Sequence, residues 1–410
     1  MIAVVGLGFV GLTTALGFAH YGMKVYGIEA DEKRRKSINS GNIPFVEPGL
    51  EEELKLQLNR NFVLTYNLED ALHECDIVFF CVGTPCKEDG QADLTVLKDA
   101  MIDVINKRNR DKKYLFVIKS TIPPSTTQKN ILPFVKEQMK TEEVLIANNP
   151  EFLREGHCWD DFINADRIVI GTQNDEAKER LDKIYEPFNI PIYFVDYTTA
   201  EFVKYLSNSM LATMISYANE MAVFADSIGG IDIKDAFHIL HMDKRWKNCD
   251  MKSYVYPGCG YGGYCLPKDT NALYTIAKKN GINMGILGEV IKTNNNMPDR
   301  VAESIIKNLE PDSRIGILGL SFKPESDDVR DSVAAKVISE LMEDGYTKLF
   351  AYDPIAIDNF KEKYDLNITY MNSLEEMDKK VDAYVIVTAW EEFRKLKNQT
   401  KKMVLDYRYM

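Results

Sequence analysis

The chain has 410 residues, 45% of them hydrophobic, and a formal net charge of −12 at pH 7; at about 100–200 residues per domain this predicts two or three cores. The acidic balance argues against a nucleic-acid surface, which needs concentrated Lys and Arg, and no apolar run of about 18 residues is present to cross a membrane. Seven cysteines, an odd number without CxxC pairs, read as reduced thiols rather than a disulfide or zinc framework, and with no signal peptide before the first strand a cytoplasmic, metal-free protein is expected.

Ile2–Val5 reads as a strand, Gly6-Leu7-Gly8-Phe9-Val10-Gly11 as a tight turn, the pattern through Tyr21 as a helix and Val25–Ile28 as the next strand. In that setting Gly6 makes the turn, Gly8 admits a pyrophosphate and Gly11 lets helix approach strand. Glu29 ends the second strand, where a carboxylate accepts hydrogen bonds from an adenosine ribose and repels a 2′-phosphate, so NAD is expected over NADP. Lys33 and Arg34 either soften that preference or are solvated charges on the following helix. Strands at Asp76–Val82 and Tyr114–Lys119 end in Gly83-Thr84-Pro85 and Ser120-Thr121, and Cys75 and Cys81 beside the first read as core. Small hydroxyls at strand ends are where doubly wound sheets hold ligands, which makes Thr84 and Thr121 candidate contacts; caps or turn residues are the alternative.

A strand at Val144–Ala147 leads into Asn149–Gly156, where Glu151 and Glu155 would share a face if the segment were helical. One carboxylate would serve as a base, or both would be exposed acids at a helix start. Thr199–Ala225 carries a long helical pattern without Gly or Pro, and Lys204 and Asn208 fall one turn apart on it. Lys and an amide on one face suit a developing oxyanion, against the alternative of a solvated surface Lys. Gly258–Thr270, reading GCGYGGYCLPKDT, places Cys265 on what is expected to be irregular backbone open to a ligand, with helix returning from Asn271 and a boundary at Asn294–Pro298. Strands at Arg314–Gly319, Leu349–Tyr352, Ala383–Thr388 and Met403–Leu405, with a helix at Ser332–Asp344, form a second α/β unit without a GxGxxG turn. Lys323, Arg330 and Arg408 are cations near its strand ends, suited to phosphate.

The stretches VGLGFVGL, CVGTP, IKSTIP, NPEFLREG, KYLSNS, GYGGYCLPKDT and GLSFKPESDDVRDS resemble the UDP-glucose 6-dehydrogenase family of nucleotide-sugar dehydrogenases over essentially the whole chain. The resemblance implies two doubly wound Rossmann-like domains, at 1–195 and 299–410, joined by a central helical domain at 196–298 with a long connecting helix. It makes Cys265 the nucleophile, Lys204 and Asn208 the oxyanion pair, Thr121 and Asp269 the holders of a water, and Glu151 a proton-transfer group. Gly6, Gly8, Gly11, Glu29, Arg34, Thr84, Thr121, Glu155, Lys268 and Arg330 match NAD-contacting positions. Glu151, Lys204, Asn208, Tyr254, Gly262, Lys323 and Arg245 match nucleotide-sugar contacts, Arg245 reaching a neighbouring subunit of a homodimer.

The chemistry so implied is a four-electron oxidation of UDP-glucose to UDP-glucuronate, through a thiohemiacetal and a thioester on Cys265. Tyr256–Cys259 and His157–Trp159 depart from the family pattern near presumed substrate contacts, and Glu29 stands where Asp is commoner. The alternatives are the same reaction on UDP-N-acetylmannosamine, UDP-N-acetylglucosamine or GDP-mannose, a two-electron hydroxyacid dehydrogenase without need of Cys265, and a non-catalytic NAD sensor.

Overall fold

The structure, a computed structural model, describes residues 1–87, 90–246 and 254–410, with Arg245 described by its backbone alone. It contains two compact units, Met1–Leu206 and Ser207–Met410.

Short, mostly apolar runs make eight strands among the described residues of the first unit. They are β1 (Ile2–Val5), β2 (Val25–Ile28), β3 (Phe62–Thr65), β4 (Ile77–Phe80), β5 (Leu115–Ile118), β6 (Leu145–Asn148), β7 (Ile168–Gly171) and β8 (Ile192–Val195). Their order is β3-β2-β1-β4-β5-β6-β7-β8, parallel except where β6 meets β7 at Asn148 and Gly171. β3, β7 and β8 are additions to the strands read from sequence. β4, β5 and β6 are buried along their whole length, and so are apolar rather than alternating. Phe18, on the helix Phe9–His20, packs against Phe79, Phe162, Tyr185 and Phe188. A fully buried ring of this size stabilises by about 1.5–3 kcal/mol. Pairing of Val5 with both Ile28 and Phe80 aligns the ends of β1, β2 and β4, which sets Gly6, Glu29 and Cys81 side by side on one sheet edge.

The long pattern is one helix, Tyr197–Ile228, which contains the division between the units. Helices Ile233–His241, Cys265–Lys279 and Gly285–Asn308 follow. At Asn294–Pro298, where a boundary is expected, the helix does not break: Pro298 lies inside Gly285–Asn308. Pro forfeits one helical hydrogen bond, but Met297, Pro298, Val301, Ala302 and Ile305 form the buried face that carries the helix onward.

The second sheet comprises β9 (Ile315–Leu318), β10 (Leu349–Tyr352), β11 (Thr369–Tyr370), β12 (Ala383–Ile386) and β13 (Met403–Asp406), in the all-parallel order β11-β10-β9-β12-β13. The helix Val333–Glu343 is capped by Ser332, whose hydroxyl accepts from Ala335 N–H. Both sheets are of the doubly wound type, with helices between them in sequence, as the sequence implies. No helix among the described residues is long and apolar enough to cross a membrane.

Candidate active site

The turn after β1 has the geometry a dinucleotide requires. Gly6 sits at φ +88°, and a Cβ on Gly11 would lie 1.8 Å from the Gly6 carbonyl oxygen, so both positions need glycine. A Cβ on Gly8 would meet no protein atom within 4 Å, which leaves the rim of the turn bare. Gly8 also starts the helix Phe9–His20 without a side-chain cap, so peptide N–H groups remain for an anion. Glu29 is buried, and its Oε2 accepts from Leu7 N–H at 2.9 Å and from Arg34 at 3.0 Å. Its Oε1 accepts from Asp31 N–H at 2.9 Å and keeps capacity for a ribose hydroxyl. These residues fit NAD.

At the ends of β4 and β5, Thr84 Oγ1 donates to Thr121 O at 2.6 Å and Ser120 Oγ to Val82 O at 2.6 Å, tying the two loops together. Lys204 is not a solvated lysine: it is buried and pairs with buried Glu151 at 2.9 Å. Burial opposes the Glu151 charge, yet Lys204, Leu153 N–H and Lys119 together hold its pKa below the ordinary glutamate value. Residues 151–154 are not helical, so the expected shared helical face of Glu151 and Glu155 is absent. Glu155 instead lies on the turn before the helix Cys158–Ile163, with one carboxylate oxygen buried. Lys119, which sequence reading passed over, is a second buried cation there; Nζ donates to Asn149 Oδ1 at 3.1 Å, and desolvation lowers its pKa.

In the second unit Cys265 is not on irregular backbone. It is the first residue of the helix Cys265–Lys279, which starts six residues earlier than expected, Pro267 being tolerated in the first turn. The N-terminal peptide dipoles therefore favour negative charge at Sγ. Lys268 is buried beside it; burial works against its charge, but Asp269 and Cys265 raise its pKa above the usual lysine value. Asp269 pairs with Lys268 through Oδ1 and accepts from Asn208 Nδ2 through Oδ2 at 2.6 Å. The glycine stretch before Cys265 is fixed by two helix asparagines that no motif signalled. Asn219 Oδ1 accepts from Gly258 N–H at 2.6 Å, while Asn294 accepts from Tyr261 N–H at 2.7 Å and donates to Tyr261 O at 3.0 Å. A polar residue on the buried face of a helix is the one local sign of such a clasp.

Gly262 needs glycine, since a Cβ would lie 2.5 Å from Asp331 O, and Gly263 N–H donates to Arg330 O at 2.9 Å. Arg330 forks onto Asp328 and lies 4.4 Å from the Tyr264 ring centroid. Lys323 is half-buried with Nζ 5.7 Å from the Phe322 ring, and Tyr254 is half-buried on a turn. The Arg245 side chain lies outside the described residues. The departures from the family pattern have structural partners. Tyr256 OH donates to Tyr409 O at 2.9 Å, Cys259 Sγ to Tyr407 O at 3.6 Å, and Gly258 makes room for Arg408, whose Nε is buried without a partner. Trp159 packs on His20 with ring centroids 5.5 Å apart. Burial pushes the Cys75, Cys81 and Cys259 thiols up to about 12 and raises Cys158 further.

Three family models match in succession: the UDP-glucose/GDP-mannose dehydrogenase NAD binding domain over residues 1–189, central domain over 198–296 and UDP binding domain over 316–410. The UDP-glucose 6-dehydrogenase of Rickettsia felis is 38% identical over 406 residues, covering 96% of this chain and 88% of the relative. A solved UDP-glucose dehydrogenase from Pyrobaculum islandicum aligns with TM-score 0.92 and 35% identity, over 100% of this chain and 94% of that one. A UDP-D-ManNAc dehydrogenase from Pyrococcus horikoshii aligns with TM-score 0.85 and 30% identity, over 99% and 95%.

Proposed function

Because the chain belongs to the UDP-glucose/GDP-mannose dehydrogenase family, we propose that it is an NAD-dependent UDP-glucose 6-dehydrogenase, taking the C6 alcohol to the carboxylate of UDP-glucuronate. The observation that carries the reading is a thiol at the first position of a helix, with Lys268 and Asp269 in the next turn and Asn208 on Asp269. Residues 1–195 would hold NAD, 299–410 the nucleotide and 196–298 the thiol. NAD supplies a hydride acceptor; the rest falls to side chains.

Gly6, Gly8 and Gly11 with Glu29 and Arg34 seat the cofactor, with Thr84, Thr121, Glu155, Lys268 and Arg330 as further contacts. Tyr254, Gly262, Lys323 and Arg245 take the nucleotide sugar. Cys265 thiolate adds to the C6 aldehyde, forming a C–S bond and an alkoxide. Lys204 and Asn208 stabilise that oxyanion. After the second two-electron oxidation the carbon is a thioester; a water held by Thr121 and Asp269 adds to it, the C–S bond breaks and the thiolate leaves. Glu151, kept ionised by Lys204, takes a proton in these steps. The sum from alcohol and water is one carboxylate, two hydrides and three protons.

Similarity to the Pyrococcus protein favours one second reading, the same chemistry on UDP-N-acetylmannosamine. NADH release against UDP-glucose, UDP-N-acetylglucosamine, UDP-N-acetylmannosamine and GDP-mannose decides between them. Two NADH per UDP-glucose are expected, with steady-state turnover lost in Cys265→Ser; one NADH per sugar, or a fully active serine variant, would refute the covalent route.

A homodimer is supported by the helix Tyr197–Ile228, which exposes Phe202, Leu206, Met210, Tyr217, Phe224 and Ile228. These recur mostly at four- and seven-residue spacings, an apolar stripe that a second copy would cover. Sedimentation of Met210→Lys, expected to be monomeric, tests it. Free thiols at Cys75, Cys81, Cys86, Cys158, Cys259 and Cys265 support a reducing, cytoplasmic setting.

A further inference from the structure

Within Met1–Leu206 a small pocket is lined by Ser120, Thr121, Asn148, Pro150, Glu201 and Lys204, among others. Two of these side chains carry an unmet need. Glu201, 3% exposed, accepts from Thr127 N–H through Oε1 at 2.8 Å, while its Oε2 is buried with no hydrogen bond, as is the hydroxyl of Thr127, which helps to hold the carboxylate's charge. Asn148, 2% exposed, has its Oδ1 buried in the same condition. Buried acceptors are normally satisfied, by protein or by ordered water. The pocket has room for about one water molecule, and both residues that carry an unmet acceptor line it.

We propose that this pocket holds a relay water and that Glu201 is its proton acceptor, acting through the water rather than on substrate. The inference rests on the oxidation proposed above, which releases three protons per sugar. In the relay step the Lys204 ammonium passes a proton to the water as the water passes another to Oε2, and the proton released from the sugar restores the ammonium. One N–H bond breaks and one O–H bond forms on the water, one O–H bond breaks on the water and one forms on the carboxylate, and nothing is oxidised or reduced. The neutral acid then returns its proton towards solvent.

The surroundings suit that exchange. Burial raises Glu201 to about 7, against a partial offset from Thr127 and the N–H groups of residues 125–127. Lys204, one turn along the same helix, is the charged group in the pocket; Ser120, Thr121 and Asn148, from the ends of β5 and β6, are uncharged. The competing role is purely structural, with Glu201 a cap on the turn at Thr127.

Glu201→Gln separates the two, because the amide oxygen still accepts from Thr127 N–H but cannot take up a proton. The expected result is roughly a 10–100-fold fall in kcat, at or below the low end for a proton-transfer group. KM for UDP-glucose should stay within about twofold, with the limb near pH 7 lost from the kcat profile. Asn148→Leu, which fills the pocket and leaves the cap intact, should lower kcat in the same direction. Infrared difference titration of wild type should show a carboxyl band disappearing as pH rises through about 7, absent in Glu201→Gln; this readout needs neither substrate nor turnover. Wild-type NADH stoichiometry reports separately on the substrate reading. Wild-type kcat and pH profile in Glu201→Gln, or an unchanged carboxyl band in that variant, would overturn the relay.

Discussion

Glu29 follows β2 in the first sheet and Asp353 follows β10 in the second, and each carboxylate reaches sideways to the turn leaving the neighbouring strand. Glu29 accepts from Leu7 N–H, and Asp353 from Leu320 N–H at 2.8 Å. They differ in what else they hold. Asp353 also accepts from Ser321 N–H, Ser321 Oγ and Trp390 Nε1 through Oδ2, and from Ile355 and Ala356 N–H through Oδ1. A carboxylate offers about four lone-pair directions, so Asp353 is filled by protein and serves as a hub. Glu29 has three donors, one of them the half-exposed Arg34. Spare capacity, not the presence of an acid, separates the turn that fits a dinucleotide from the one whose carboxylate is filled by protein donors. The turns differ in length as well: the first passes into a helix at Phe9, whereas the second runs from Gly319 to Ser332 before its helix starts.

Substitution tests this contrast. Asp353→Ala should cost most, about 3–5 kcal/mol, because several buried donors lose their acceptor at once; denaturant melts should show it, with NAD affinity of the folded fraction unchanged. Gly11→Ala forces a methyl against the Gly6 carbonyl and should cost about 2–3 kcal/mol together with NAD binding. Glu29→Ala should lose about 1.5–3 kcal/mol of stability and weaken NAD roughly tenfold or more in calorimetry, the outcome expected of a carboxylate that serves the turn and, as proposed, the ligand. If NAD affinity survives, the distinction between the two acids collapses. Gly8→Ala should leave stability within about 0.5 kcal/mol yet impair NAD binding, its methyl entering space the protein leaves open.

A different kind of test is a matter of pH. Glu201 is raised above its unfolded value, so the folded state holds its proton more tightly and stability declines as pH rises from about 4.5 to about 7. Glu201→Gln should flatten that decline in melts across the window; an unaltered slope would show that the group does not titrate there.

What the sequence discloses follows the range of the forces involved. Gly6, Gly11 and Glu29 are legible because the sterics of one turn and the length of one βαβ unit fix them. Cys265 is misread as structure: glycines before it and Pro267 after it read as loop, although a helix accepts proline in its first turn. Pro298 does not end its helix for the related reason that tertiary burial outweighs one missing hydrogen bond. Asn219, Asn294, Asn148 and Glu201 are invisible to local reading, their partners lying 39, 33 or 74 residues away where partners are present. The contacts of Tyr256 and Cys259 with Tyr409 and Tyr407 are likewise long-range, which is why a departure from the family pattern near a presumed substrate contact turns out to be packing.

The burial of thiols also makes the protein selective towards electrophiles. Cys75, Cys81, Cys158 and Cys259 are held protonated at neutral pH and should stay silent to alkylating reagents until the chain unfolds. Among the described cysteines that leaves Cys86, which is exposed, and Cys265, which is half-buried at a helix start. A labelling time course followed by peptide mass analysis can therefore use Cys86 as an internal clock, against which protection of Cys265 by a bound nucleotide sugar is read directly.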